Sequence, residues 1–134
     1  MTPRTQTASR QVLIVSNGPR GIVARAALEC GLVTEIVRDI SEAIGSLRRK
    51  RYQAVLADLD ASNVDCLELV LNVRDFDRKV PIAVVATEWD AAEMAAAGTQ
   101  PGLLLVSKSE RVSEIANNLA RLPLRVGGEV AASF

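Results

Sequence analysis

The chain has 134 residues, 49% hydrophobic and 24% charged, and its sixteen basic and sixteen acidic side chains cancel. That length fits one domain with a real core, and a balanced charge removes any global electrostatic pull toward nucleic acid or an anionic membrane. With no histidine, Ser-His and Cys-His catalysis and most zinc sites are excluded, and the two cysteines suit reduced thiols better than a disulfide framework.

The first ten residues, MTPRTQTASR, read as a loose polar tail. They contain no apolar signal core, and no apolar run approaches the ~20 residues of a membrane span, so a cytoplasmic location is expected. Val12-Leu13-Ile14-Val15 has the character of a buried strand ending at Ser16-Asn17-Gly18. Pro19 stands where a first helical position is expected, and Ile22-Val23 and Ala26-Ala27 carry the helical spacing to Cys30, with Gly31 as its stop. A second strand is expected from Val33 to Val37. Asp39 and Glu42 then form a capping-box pattern before an apolar helix face of Ile40, Ala43, Ile44 and Leu47. That helix closes on Arg48-Arg49-Lys50-Arg51, which is read as a solvated end favoured by the helix dipole.

The third strand, Ala54-Val55-Leu56-Ala57-Asp58, is an unbroken apolar run that ends on a carboxylate. Such a run suits a strand buried on both faces of a parallel sheet, and open α/β sheets place their sites at the carboxyl ends of strands. A helix from about Val64 to Arg74 should turn Leu67, Val70 and Val73 inward, leaving Leu69 and Leu71 on an apolar outer side open to a partner. Pro81 opens a fourth strand through Ala86. A short Ala-rich helix is expected from about Glu88 to Ala97, broken by Gly98-Thr99-Gln100-Pro101-Gly102. Trp89 near that helix suits either core packing or a binding hot spot. Leu103 to Val106 forms the fifth strand. Ser109 is placed to cap a last helix with the face Val112, Ile115, Leu119 and Leu122, which Pro123 ends. The residues from Leu124 on read as a mobile tail.

Five strands alternating with five helices imply an α/β doubly wound sandwich, a five-stranded parallel sheet in the order 2-1-3-4-5 over residues 11–122. Cys30 and Cys66 then fall on helices of opposite faces and should not meet.

On the strand ending in Asp58, the stretch Val64-Asp65-Cys66-Leu67-Glu68-Leu69, Pro81 and Lys108, the chain resembles the receiver domain of two-component response regulators. The resemblance implies that Asp58 is the phosphoacceptor and Lys108 its ammonium partner. It also implies Mg²⁺ held by an acidic pair after the first strand and by the acceptor, with a hydroxyl residue closing the fourth strand. This chain departs from the pattern: Ser16 and Asn17 stand at the acidic pair, Ala86 with Thr87 next to it at the hydroxyl position, Leu105 at the usual aromatic, and Ser109 after the lysine. Neutral oxygens bind a hard dication far more weakly than carboxylates do. The leading expectation is therefore an atypical, or pseudo-, receiver. It would be a non-enzymatic signalling module that binds proteins such as a histidine kinase or a downstream regulator, with Asp58 and Lys108 as an ion pair and no cofactor. The alternative is a working receiver phosphorylated on Asp58 with Mg²⁺. A third reading, a phosphate or flavin binder at residues 16–21, has little support, because Pro19 removes one donor and the glycine spacing fits no fingerprint. Asp60 and Asp65 are expected to be turn or helix-start residues. A homodimer is allowed for; nucleic-acid and membrane binding are not expected.

Overall fold

The computed structural model describes residues 11–16, 21–60, 64–108 and 111–124. Strands β1 (Gln11–Val15), β2 (Val33–Val37), β3 (Ala54–Asp58), β4 (Ile82–Ala86) and β5 (Leu103–Ser107) form one parallel sheet in the order β2-β1-β3-β4-β5. Helices α1 (Ile22–Glu29), α2 (Ile40–Arg49), α3 (Cys66–Phe76), α4 (Ala91–Thr99) and α5 (Val112–Leu119) connect and follow them. The α/β class and strand order are those expected.

Strand alternation creates two cores. Val12, Ile14, Ala54, Leu56, Ala83 and Val85 point toward α1 and α5, while Leu13, Val15, Val55, Ala57, Ile82 and Val84 point toward α2 and α3. Every residue of β3 and β4 is buried, whereas the edge strands β2 and β5 are only partly covered. Cys30 packs at the first core and Cys66 in the second, with the sheet between them, and both are free thiols.

Several boundaries differ from the sequence reading. The helix α1 begins at Ile22 with Gly21 as its cap, so Pro19, which lies outside the described residues, is not its first position. Gly31 does end it, at φ 77°, and the Leu32 amide reaches back to the Ala27 carbonyl at 3.1 Å. In α3 the inward residues are Leu69, Val70 and Val73. Leu69 is fully buried, while Leu67 is only half-buried and Leu71 is 61% exposed. The start of this helix is set by Asp65, whose carboxylate accepts the Glu68 amide. That start rotates Leu69 onto the core stripe. Asp39 likewise caps α2, but the Glu42 carboxylate reaches the Arg38 amide instead of completing the box at Asp39.

The fourth helix starts three residues later than expected because Asp90 and Glu93 form a capping box, and it continues through Gly98 to Thr99. Helix α5 has Arg111 at its cap without a side-chain cap bond, in place of the expected Ser109, which lies outside the described residues. Ile115, Leu119 and, just past the helix, Leu122 are buried as expected, Val112 packs partly buried against the same core, and Ala116 joins them. Leu124, expected in a tail, packs against this core. The two tail expectations otherwise fall on 1–10 and 125–134, outside the described residues.

Candidate functional site at the carboxyl edge of the sheet

Three chain segments meet where β3, β4 and β5 end. The register places Asp58 beside Val85 and Ala86 beside Ser107. The backbone carries the alignment past the strand ends: the Leu59 amide donates to the Val85 carbonyl at 3.0 Å, and the Lys108 amide to the Ala86 carbonyl at 2.9 Å. Loop residues just beyond the three strands are thereby held within side-chain reach of one another.

Asp58 is 1% exposed. The Lys108 ammonium donates to its two carboxylate oxygens at 3.0 and 3.3 Å, and the lysine side chain is 24% exposed. The same nitrogen lies 3.6 Å from Oδ2 of Asp60, an ion-pair distance beyond that of a hydrogen bond. Asp60 Oδ2 in turn accepts two bonds from Thr87, from the amide at 3.0 Å and from the hydroxyl at 2.6 Å. The Thr87 hydroxyl, with Lys108 and the Thr87 amide adding to it, holds the Asp60 carboxyl below the usual carboxylate range against a smaller opposing effect of burial.

Of the remaining predicted positions, Ser16 directly follows β1 and Ala86 closes β4. Ser16 follows Val15, which pairs with Ala57. It is fully buried, its amide donates to the Val37 carbonyl at 2.9 Å, and its hydroxyl has no hydrogen-bond partner among the described residues. Asn17 lies outside the described residues. Ala86 closes β4 with a methyl group, 3% exposed, and brings no hydroxyl. Thr87 does bring one, but directs it to Asp60. Leu105 is half-buried on the α2–α3 side of the sheet, and Trp89 packs against the same core.

The sequence reading missed the Asp60–Thr87 link, having assigned Asp60 to a turn. It does sit in the turn, yet its carboxylate joins the cluster. The usable signal was the pairing of β3 with β4, which brings the residues just past their ends together.

A bound Mg²⁺ needs one or two carboxylates with free lone pairs in an octahedral shell. Among the described residues, the Asp58 oxygens face an ammonium, Asp60 Oδ2 accepts two bonds from Thr87, and Ser16 is neutral. No group of three potential ligands from His, Cys, Asp and Glu comes together there.

Other polar features serve the framework. Near the amino ends of β1 and β3, Glu35 accepts the hydroxyls of Ser46 and Tyr52, each at 2.8 Å, and pairs with Lys50 at 3.1 Å and Arg49 at 3.8 Å. Burial opposes ionisation of Glu35, yet the bonds from Ser46, Tyr52 and Lys50 hold its carboxyl low, while burial pushes Tyr52 up to about 12. Arg48 lies over the Phe76 ring at 5.6 Å. Much of the basic run is thus engaged within the fold. Burial raises both thiols, Cys66 to about 11, which makes neither an activated nucleophile. A cleft of about 370 Å³ between α1 and α5 is lined by Cys30, Leu32, Ala116, Leu119 and Leu124. Among the described residues that line it, Glu29 is the one acidic side chain and none is basic.

Five parallel strands in the order 2-1-3-4-5, with helices on both faces, form the flavodoxin-like α/β fold. No protein-family model matches the chain, and no curated protein sequence matches it. Among solved structures, the chemotaxis protein CheY4 of Vibrio cholerae superposes with a TM-score of 0.70 at 20% identity, covering 86% of this chain and 99% of its own. A CheY-like response regulator receiver domain protein of Methanospirillum hungatei gives 0.68 at 12% identity, over 85% and 93%. The phosphorylated cyanobacterial phytochrome response regulator RcpA gives 0.62 at 20%, over 82% and 88%. The chain has the receiver fold.

Proposed function

We propose that this domain is a pseudo-receiver: a non-enzymatic signalling module that acts by binding other proteins and does not depend on Mg²⁺-assisted phosphorylation. The observation that carries the reading is the neutral surroundings of the buried Asp58 carboxylate: Ser16 follows β1 and Ala86 closes β4, and neither brings a charge. Phosphoryl transfer is mostly positioning and charge neutralisation. With neutral Ser16 and Ala86 beside it, Asp58 has few anionic neighbours with which to hold a metal ion for that step. The partners expected are signalling proteins, a histidine kinase or a downstream regulator, in the cytoplasm, with self-association as a further option.

Incubation with acetyl phosphate and Mg²⁺ followed by intact-mass measurement tests the reading, and the protein should emerge unmodified. A stoichiometric phosphoryl increment that disappears in Asp58→Asn would establish the alternative, a receiver phosphorylated on Asp58. The retained Asp58–Lys108 pair is the one observation that favours that alternative.

A further inference from the structure

The balanced charge of the chain is not evenly spread. Among the described residues, cations gather at the amino edge of β3 and β4. There α2 runs out through Arg48 and Arg49 into Lys50 and Arg51, and α3 is followed by Arg78 and Lys79. Arg48 lies over the Phe76 ring at 5.6 Å, and the Val55 amide donates to the Pro81 carbonyl at 2.9 Å, so the two segments end side by side. Glu35 takes up Arg49 and Lys50, the Asp77 carboxylate accepts the Lys79 and Val80 amides, and Asp75 is exposed among them. Arg48, Arg51, Arg78 and Lys79 enter no ion pair among the described residues, and all but Arg51 are exposed. The opposite end is acidic. Asp65 and Glu68 begin α3, Asp90 and Glu93 begin α4, and Glu88 stands in the loop between β4 and α4. The charges of Glu93, Asp65 and Asp90 all reach the Cys66 thiol, which gathers the two helix starts around one point. Lys108, the cation just past β5, is taken by Asp58. The eleven residues of α3 hold the two ends about 16 Å apart, twice the ~8 Å over which charges act in roughly 0.15 M salt. Helix dipoles account for acids at helix starts and bases in last turns, but Glu88, Arg78 and Lys79 lie outside the helices.

We propose that the basic edge of one copy docks on the acidic helix starts of a second copy, joining identical chains head to tail. A net charge of zero leaves no overall repulsion between copies, and the acids at the starts of α3 and α4 are a complementary surface that the molecule itself carries. A two-fold arrangement would set like charge against like. The contact is therefore heterologous, and a pair of copies still offers one free basic and one free acidic end. Exposed ion pairs each contribute little and are screened by salt, so the assembly is weak, salt-sensitive and grows with concentration. Nucleic acid fits this edge less well, because Phe76, the exposed aromatic beside the cations, already carries Arg48 and is not free to stack a base. The inference rests on the reading of the domain as a protein-binding module, and it names a second copy as a partner.

Sedimentation equilibrium of the full chain tests the contact. At about 0.01 M salt, where charges act over ~30 Å, the average mass should rise with concentration past twice the 14.4 kDa monomer. At about 1 M, where they act over ~3 Å, it should return to the monomer. Arg78→Glu with Lys79→Glu turns the basic end acidic, and Glu68→Lys with Glu88→Lys turns the acidic end basic. Each double variant should be monomeric alone, and an equimolar mixture of the two should associate again. The same charge change on α1 and past α5, Arg25→Glu with Arg121→Glu, should weaken association less than the Arg78–Lys79 reversal does. Should a reversed variant not fold, Arg78→Gln with Lys79→Gln is the second arm and should lower the association constant about tenfold. A wild type that stays monomeric in low salt, a plateau at the dimer, a mixture that fails to associate, or equal losses at the two surfaces overturns the proposal. So does an unchanged constant in the glutamine variant. Binding of a DNA duplex by a wild type that stays monomeric gives the basic edge to nucleic acid and overturns it too. The two readings fail separately. A phosphoryl adduct on wild-type Asp58 defeats the pseudo-receiver whatever the sedimentation shows, and a monomer without an adduct defeats the head-to-tail contact alone.

Discussion

Asp58 is a carboxyl group that solvent barely reaches, so it depends on the partners the protein supplies. Removing one partner of a buried pair leaves the other charge uncompensated, at a cost of about 3 kcal/mol or more, while replacing both partners is far milder. Lys108→Met should therefore lower the unfolding free energy by about 3 kcal/mol in urea titration. Asp58→Asn combined with Lys108→Met should recover most of that loss, giving a large coupling energy in the double-mutant cycle. Additive single effects would refute the pairing as an energetic unit. Asp60 makes a separate, pH-dependent contribution. Its folded carboxyl titrates below the ordinary range because Thr87 and Lys108 stabilise the charged form. A group depressed on folding stabilises fully above its unfolded pKa and loses that contribution as pH falls through the folded value. The wild type should consequently lose more stability than Asp60→Asn as pH drops below about 4, and parallel stability curves across that window would contradict the assignment.

At the scale of single elements, what decides is the rotation of each helix about its axis. Leu69 and Leu71 are two residues apart, so they cannot share a face. The sequence reading set both outside because it counted the stripe from Leu67, whereas the Asp65 cap places Leu69 in the core at zero exposure and Leu71 in solvent. Leu69→Ala should cost about 2–5 kcal/mol, and Leu71→Ala should stay within about 0.5 kcal/mol of the wild type. Comparable losses at the two positions in thermal unfolding would overturn this placement. The same pair shows what was legible in the chain. Strands β1, β3 and β4 were plain because continuous apolar runs report burial on two faces, and Asp58 was plain because it ends one of them. Asp60 was not, since its role depends on a neighbour twenty-seven positions away in the next loop. Helix rotation was not legible either, since a one-residue change in a cap moves every later side chain by about 100°.

On the scale of the whole molecule, apolar burial is unevenly shared. The helices α1 and α5 seal one core and α2 and α3 the other, but α4 has no buried residue, and Met94 on it is 61% exposed. The helix α4 is held at its start by the Asp90–Glu93 box and otherwise by partial contact with its neighbours α3 and β5. In proteins generally, segments with little buried apolar area open at a free energy well below that of global unfolding. Native-state hydrogen exchange should accordingly place the amides of β3, buried on both faces, at the global free energy and those of α4 at the lowest level among the helices. Asp90→Ala removes the cap and should lower the opening free energy of α4 by about 1 kcal/mol while leaving β3 exchange limited by global unfolding. Uniform protection across α4 and β3 would mean that α4 is bound into the cooperative unit by contacts its exposure does not reveal. The expected split instead gives this fold a rigid sheet, with the Asp58–Lys108–Asp60 cluster at its edge and a loosely held helix after the loop that carries Thr87. A change in the Asp60–Thr87 contact would then be transmitted first to α4, the element with the least to lose.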